Sequence, residues 1–154
     1  EWNIPTLVDP KKRNYYHYKD VTFFKPNFKE LVEGLNVHIE KNNYEGIFEA
    51  AKNMHESQNI DWIMVTLSEH GVLISNGKKF KHIPARIRDI SDVSGAGDTV
   101  IGISSVGMAL GISPWIIAEM SNIGGGQVCE KPGVVPVDKK ELLKECQSII
   151  KELT

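Results

Sequence analysis

"DVSGAGDTVIG", residues 92–102, decides how this 154-residue chain is read. Gly95, Ala96 and Gly97 are small, Asp98 is acidic, and the apolar run that follows reads as a helix. The first N–H groups of a helix lack internal partners, and the helix dipole adds partial positive charge there. Glycines let an anion approach that backbone, so the loop suits phosphate oxygens. Asp98 beside such a pocket would oppose phosphate unless it served proton transfer or faced a metal ion. A plainer alternative is that Asp98 stabilises the helix start, worth about 0.5–2 kcal/mol. Two familiar glycine motifs do not fit. The P-loop needs Gly-Lys-Ser/Thr where Gly97 is followed by Asp98 and Thr99, and the dinucleotide fingerprint needs Gly or Ala where Val100 stands. From this stretch alone both readings stay open.

Composition removes several function classes. With 18 basic and 20 acidic residues the net charge is -2, so no global field draws in nucleic acid or anionic lipid. Apolar windows are interrupted before membrane-spanning length and no signal peptide is visible, which predicts a cytoplasmic location without membrane or nucleic-acid partners. Cys129 and Cys146 form no CxxC pair, and the five histidines lack metal-ligand spacing. Trp62 and Trp115 read as core or interface residues. The chain opens on Glu1, and Ile4, Thr6, Leu7 and Val8 already form a β-prone run, so a piece of a longer protein is expected.

Outward from the glycine loop, the pattern alternates strands and helices. "KKRNYYHYKD" reads as a polar, aromatic surface connection, and "VTFFKPN" as a strand stopped at Pro26. "NFKELVEGL" predicts a short helix capped by Asn27 with Glu30 three residues on. Ile47, Ala51 and Met54 mark an amphipathic helix. "WIMVTL" suits a strand buried on both faces, and Asn76-Gly77 signals a hairpin. Three helices should follow: one from the glycine loop to about Leu110, one opened by Ser113-Pro114, and one opened at Asp138 with Leu142, Cys146 and Ile149 on one stripe. The order implies an α/β layered fold with a largely parallel sheet.

"KPNFKE", "VTLSEHGV", "DVSGAGDTVIG" and "SNIGGGQV" occur in the order found in ribokinase-like (PfkB) carbohydrate kinases, and the chain resembles that family over nearly its whole length. The resemblance is strongest to kinases acting on heptose 7-phosphate on the route to ADP-heptose. It implies a ribokinase-like α/β fold in which helices flank a mostly parallel sheet. Residues 1–154 would be the C-terminal, nucleotide-binding portion of one kinase domain, without its N-terminal strands and lid. The nucleotidyltransferase domain fused to some heptose kinases would also lie outside the chain. ATP and Mg²⁺ are the implied cofactors, with a monovalent cation in some relatives.

Residue by residue, the resemblance makes Asp98 the base that takes a proton from the sugar hydroxyl. Gly95, Ala96 and Gly97 become the anion hole, which fits a reaction catalysed mainly by positioning and electrostatics. Asn27 and Glu30 match an Asn-x-x-Glu motif that orders magnesium and phosphate; a simple capping box is compatible with that role. Thr66, Ser68 and Gly71 match the segment passing the nucleotide phosphates and ribose, and Asn122 an asparagine near the base. Gly124, Gly125 and Gly126 stand where the family more often has alanine. Asp92 matches a monovalent-cation ligand of some relatives, with a loop aspartate bonded to its own backbone as the alternative. Lys11 is placed near phosphate or in solvent. Because sugar-binding elements and covering strands belong to the other half, the isolated chain is expected to self-associate, as a homo-oligomer or aggregate, and to have little activity. The substrate is a sugar or sugar phosphate. Kinases for fructose, ribose or adenosine, a nucleotide-binding piece without turnover, and a scaffold piece remain as alternatives.

Overall fold

The computed structural model describes residues 4–152, which divide into two compact units, one ending at Pro84 and the other beginning at Ala85. In the first unit β1 (Leu7–Val8), β2 (Phe23–Phe24), β3 (Trp62–Thr66), β4 (Val72–Ser75) and β5 (Phe80–Ile83) form one sheet in sequence order. β1, β2 and β3 pair in parallel, whereas β3–β4 and β4–β5 pair antiparallel, so the sheet is mixed. The reason is connection length. A parallel pair needs a crossover of about a dozen residues or more, and the short turn over Ser68–His70 returns the chain at once. The expected hairpin joins β4 to β5 through Asn76 and Gly77, where Gly77 takes a positive φ of 79°.

Helix α1 (Phe28–Leu35) carries both halves of a capping box: Asn27 Oδ1 accepts the Glu30 N–H at 2.8 Å, and Glu30 Oε2 accepts the Asn27 N–H at 2.8 Å. Helix α2 (Tyr44–Gln58) starts where Asn43 Oδ1 accepts the Gly46 N–H and buries Ile47, Ala51 and Met54, the stripe read from the sequence. Those residues join Phe24, Leu31, Ile63, Val65 and Leu73 in one apolar cluster. Ile63, Met64 and Val65 are all buried, which fits a continuous apolar strand.

One expectation fails here. The segment after Pro10 is more than a surface connection: it coils into a 3₁₀ helix over Lys12–His17 and sends Tyr15 into the core, 1% exposed. The Tyr15 ring meets Phe24 edge-on at 5.3 Å between centroids, and Gln58 Nε2 donates to the Tyr15 and Tyr18 carbonyls beside it. Polar and aromatic residues alternate too irregularly there for any helical or strand period to mark the one that turns inward.

His55 ties α2 to β4. The Ile60 carbonyl can only accept, so Nδ1 carries the proton and donates to it at 2.6 Å, leaving Nε2 to accept from Ser75 Oγ at 2.8 Å. Burial lowers the imidazole pKa, outweighing the Ile60 carbonyl and Asp61, which raise it. A lowered histidine pKa means that the unfolded chain binds the proton more readily. The stabilisation is therefore full above the ordinary histidine pKa of about 6.5 and is lost as pH falls through the folded value. Urea midpoints should drop between pH 7.5 and pH 5, and His55→Asn should flatten that limb. An unchanged pH profile in the variant would remove His55 from this role.

The second unit is α3 (Ala96–Ala109), α4 (Pro114–Cys129) and α5 (Lys139–Glu152). Pro114 at the first position sets the start of α4, but Ser113 makes no side-chain capping bond. Asp138 Oδ1 does cap α5, accepting the N–H groups of Lys140 and Glu141. Leu142 and Cys146 are half-buried on that helix, and Ile149 lies outside the residues whose side chains are described. α3 and α4 run antiparallel in close contact: added Cβ atoms at Gly107, Gly124 and Gly125 would lie 2.7, 2.3 and 2.8 Å from Ile117, Ile103 and Val100. Gly124 and Gly125, which stand where the family more often has alanine, let the two helices approach. Between them Ser104 Oγ donates to the Val100 carbonyl and contacts Ser121 Oγ at 3.1 Å, so both buried hydroxyls are satisfied. Among the described residues no helix is long and apolar enough to cross a membrane.

Candidate active site

Candidate residues collect at two places, one in each unit. In the first unit they lie at the carboxyl ends of β1, β2 and β3. Parallel pairing aligns those ends, and open α/β sheets present their ligands there. Lys11 follows β1, Asn27 and Glu30 follow β2, and Thr66 ends β3. Asn27 and Thr66 form a parallel bridge, fixed by the Thr66 N–H on the Pro26 carbonyl at 3.0 Å. Lys11 Nζ is 3.5 Å from Glu30 Oε1 with its side chain 76% exposed, which matches a lysine reaching into solvent as well as one near an anion. The turn after Thr66 is tight: the Leu67 N–H meets the Gly71 carbonyl at 2.7 Å. It holds Ser68 at a φ of 54° and Gly71 at 89°. Serine in the left-handed region is uncommon and pays a conformational cost there.

Beneath these residues lies a pair that sequence reading did not single out. Lys25 is buried, and its Nζ meets Asp9 Oδ1 at 3.1 Å, so a salt bridge crosses the ends of β1 and β2. A lysine is read as solvated by default, and only the two X-Pro steps, Asp9-Pro10 and Lys25-Pro26, distinguish these positions in the sequence.

In the second unit the glycine loop opens α3 as expected. Gly95 is the N-cap in a left-handed conformation, φ 80°, and a Cβ there would stand 3.0 Å from Val134. Ala96 differs from the expectation: its N–H lies 3.3 Å from the Val93 carbonyl and is engaged. No acceptor among the described residues takes the N–H groups of Gly95, Gly97 or Asp98. Gly97 and Asp98 are exposed, so two consecutive amides of the first turn and a carboxylate face solvent together. Asn122 sits half-buried in α4, three residues before Gly125, which contacts Val100 of α3.

Asp92 bonds to backbone on both sides of its loop. Oδ1 accepts the Ser94 N–H at 2.9 Å and Oδ2 the Gly133 N–H at 3.0 Å, which hold the carboxyl below the usual carboxylate range. Each oxygen thus accepts one backbone N–H, as a clamp across the loop requires. Glu30 is similarly engaged, with Oε2 on the cap and Oε1 facing Lys11. Among the described residues no three His, Cys, Asp or Glu side chains gather into a metal cluster. The Glu30 oxygen that faces Lys11 fits an ion held mainly by phosphate and water, since Mg²⁺ keeps several waters and needs few protein carboxylates. Cys129 and Cys146 are unpaired, and burial pushes both thiols up, away from nucleophilic use.

Comparison with known proteins bears on the family and the fold. A family model described as pfkB family carbohydrate kinase matches residues 3–140. The bifunctional protein HldE of Methylobacillus flagellatus is 37% identical over 145 residues, covering 94% of this chain and 29% of that protein. HldE of Magnetococcus marinus is 36% identical over 142 residues, covering 90% and 28%. The chain thus spans under a third of the length of these curated relatives. Among solved structures, phosphofructokinase-2 of Escherichia coli, in complex with substrates and products, superposes with a TM-score of 0.85 at 18% identity over 96% of this chain and 48% of that one. Ribokinase of Arabidopsis thaliana, complexed with ribose and ATP, gives 0.77 at 20% identity over 93% and 47%. At such identities the superpositions establish a shared ribokinase-like fold.

Proposed function

Since this chain belongs to the pfkB family of carbohydrate kinases, we propose that it forms the carboxy-terminal, nucleotide-binding part of a kinase that phosphorylates heptose 7-phosphate. The observation that carries the reading is the opening of α3, where the N–H groups of Gly97 and Asp98 and the Asp98 carboxylate face solvent side by side. In the proposed reaction the Asp98 carboxylate takes the proton of the acceptor hydroxyl. The hydroxyl oxygen bonds to the γ-phosphorus of ATP as the bond from that phosphorus to the β–γ bridging oxygen breaks, and ADP leaves. The Gly97 and Asp98 amides meet the charge spread over the transferring group, with Gly95 giving close backbone access. Donors fixed in advance cost no reorganisation at the moment of transfer.

Thr66, Ser68 and Gly71 would line the path of the nucleotide phosphates and ribose, with Lys11 beside them and Asn122 near the base. Magnesium on the nucleotide would neutralise phosphate charge, and Asn27 and Glu30 would orient it through water. Glu30→Gln keeps an acceptor for the cap but loses the charge; the Mg²⁺ concentration for half-maximal rate should rise by about tenfold. An unchanged requirement would sink the assignment. Identity to HldE proteins favours heptose 7-phosphate as the acceptor. The sugar pocket would lie mostly in the amino-terminal half, so the isolated chain is proposed to turn over little and to associate with itself. ADP release by the complete kinase, compared across heptose 7-phosphate, fructose, ribose and adenosine, tests the reading. Preference for any acceptor but the first would contradict it.

A further inference from the structure

Between β5 and α3 the chain passes through a segment that is fastened at three points. Arg88, whose side chain is 9% exposed, forks between Glu130 Oε2 at 2.6 Å and Glu145 Oε2 at 2.5 Å. Gly126 makes room for it, because a Cβ there would lie 2.7 Å from Arg88 Nε. Gln127 Nε2 donates to the other Glu145 oxygen at 2.7 Å, so the ion pair is held from α4 and α5 together. Burial alone would lower the guanidinium pKa, and the two carboxylates outweigh it. Three and four residues after Arg88, the N–H groups of Ser91 and Asp92 both meet the Cys129 carbonyl, at 2.8 and 3.1 Å. The Asp92 carboxylate then spans from Ser94 to Gly133. The next residues are the glycine cradle itself.

We propose that Asp92, with Arg88 behind it, is a positioning residue that latches the opening of α3 to the end of α4, so that the amides of Gly97 and Asp98 stand ready for an anion without a monovalent cation. The proposal rests on the kinase reading for its catalytic consequence, but the latch itself can be measured without it. Its logic is geometric. Gly95 is left-handed, and the helix fixes the amides of its first turn only relative to its own axis, so the preceding loop must restrain where that turn stands. A carboxylate that binds one N–H on each side of the loop mouth supplies that restraint, and it does so with protein donors at both oxygens.

Asp92→Asn is the discriminating variant: its amide can still accept from Ser94 but presents N–H to N–H at Gly133. Amide hydrogen exchange on the chain should speed by about tenfold at Ser94, Ala96 and Thr99, the bonded amides of the loop and first turn, while residues 117–125 of α4 stay unchanged. In the complete kinase kcat should fall by about tenfold with KM for ATP changed less than about threefold, as for a residue that orients the cradle without touching the nucleotide. Potassium should alter neither wild type nor variant. If the variant does not fold, Glu130→Gln, which loosens one arm of the Arg88 fork, should raise exchange over residues 86–95 in the same local manner. Unchanged exchange at the loop in the folded variants, or an acceleration spread evenly through both helices, overturns the latch. Potassium activation of the wild type that disappears in Asp92→Asn overturns it in favour of a cation ligand. A wild-type kinase that transfers phosphate to no sugar, with the exchange pattern as expected, would instead remove the kinase reading and leave the latch standing.

Discussion

Replacing Asp98 with asparagine lowers kcat of the complete kinase by about 10²–10⁴-fold and leaves the fold intact. The two parts of this expectation have separate grounds. Asp98 is exposed in the first turn of α3, and no side chain among the described residues binds its carboxylate. Its structural value is then limited to the interaction of a negative charge with the helix N-terminus, about 0.3–1 kcal/mol. Asparagine keeps the shape and cannot take a proton, so transfer suffers while the melting temperature moves little. KM for ATP should stay near the wild-type value or fall, because removing a charge beside the triphosphate lessens repulsion in the ground state. Steady-state kinetics together with a thermal melt check the pair. Near-normal turnover would return Asp98 to the plainer role of stabilising a helix start.

Gly34→Ala and Gly102→Ala change stability in opposite directions, although each places alanine inside a helix. Alanine is favoured over glycine in a helix by about 0.8–1 kcal/mol. At Gly102, in α3, an added Cβ meets nothing within 4 Å, so the gain is kept and stability rises by about 0.5–1 kcal/mol. At Gly34 the same atom falls 2.6–2.7 Å from three ring carbons of Tyr15. That ring is buried against Phe24 and cannot swing aside as a flexible chain end would. Overpacking of this kind costs about 1–3 kcal/mol; after the propensity gain Gly34→Ala should still lower stability by about 1–2 kcal/mol. Urea unfolding of both variants measures the contrast. A stabilised Gly34→Ala would mean that Tyr15 is not packed on α1 as described.

Much of the local structure was legible because it rests on short-range rules. Asn27 and Glu30 read as a capping box and form one, Asn76-Gly77 reads as a hairpin and turns one, and Ile47, Ala51 and Met54 face the core at helical spacing. The glycine loop opening α3 was legible for the same reason. What escaped depends on partners far apart in the chain. Arg88 reaches Glu130 and Glu145 across 42 and 57 residues, and no spacing rule connects them. Lys25 and Tyr15 escaped because each is of a type ordinarily assigned to the surface or to a polar connection, and tertiary packing overrode that default. Within the site, the engaged Ala96 amide is a matter of tenths of an ångström at a helix start. Residue types cannot tell which N–H of the first turn finds the Val93 carbonyl.

The most direct measurement of the central claim is a nuclear magnetic resonance titration of the ¹⁵N-labelled complete kinase. Magnesium, ADP and aluminium fluoride, which mimic the transferring phosphoryl group, would be added together with the acceptor sugar. The amide resonances of Gly97 and Asp98 should move downfield as they bond to the mimic, far more than with ADP alone, and the Asp98→Asn protein should retain the shift while losing turnover. Binding of the mimic that leaves both amides unmoved would contradict the account.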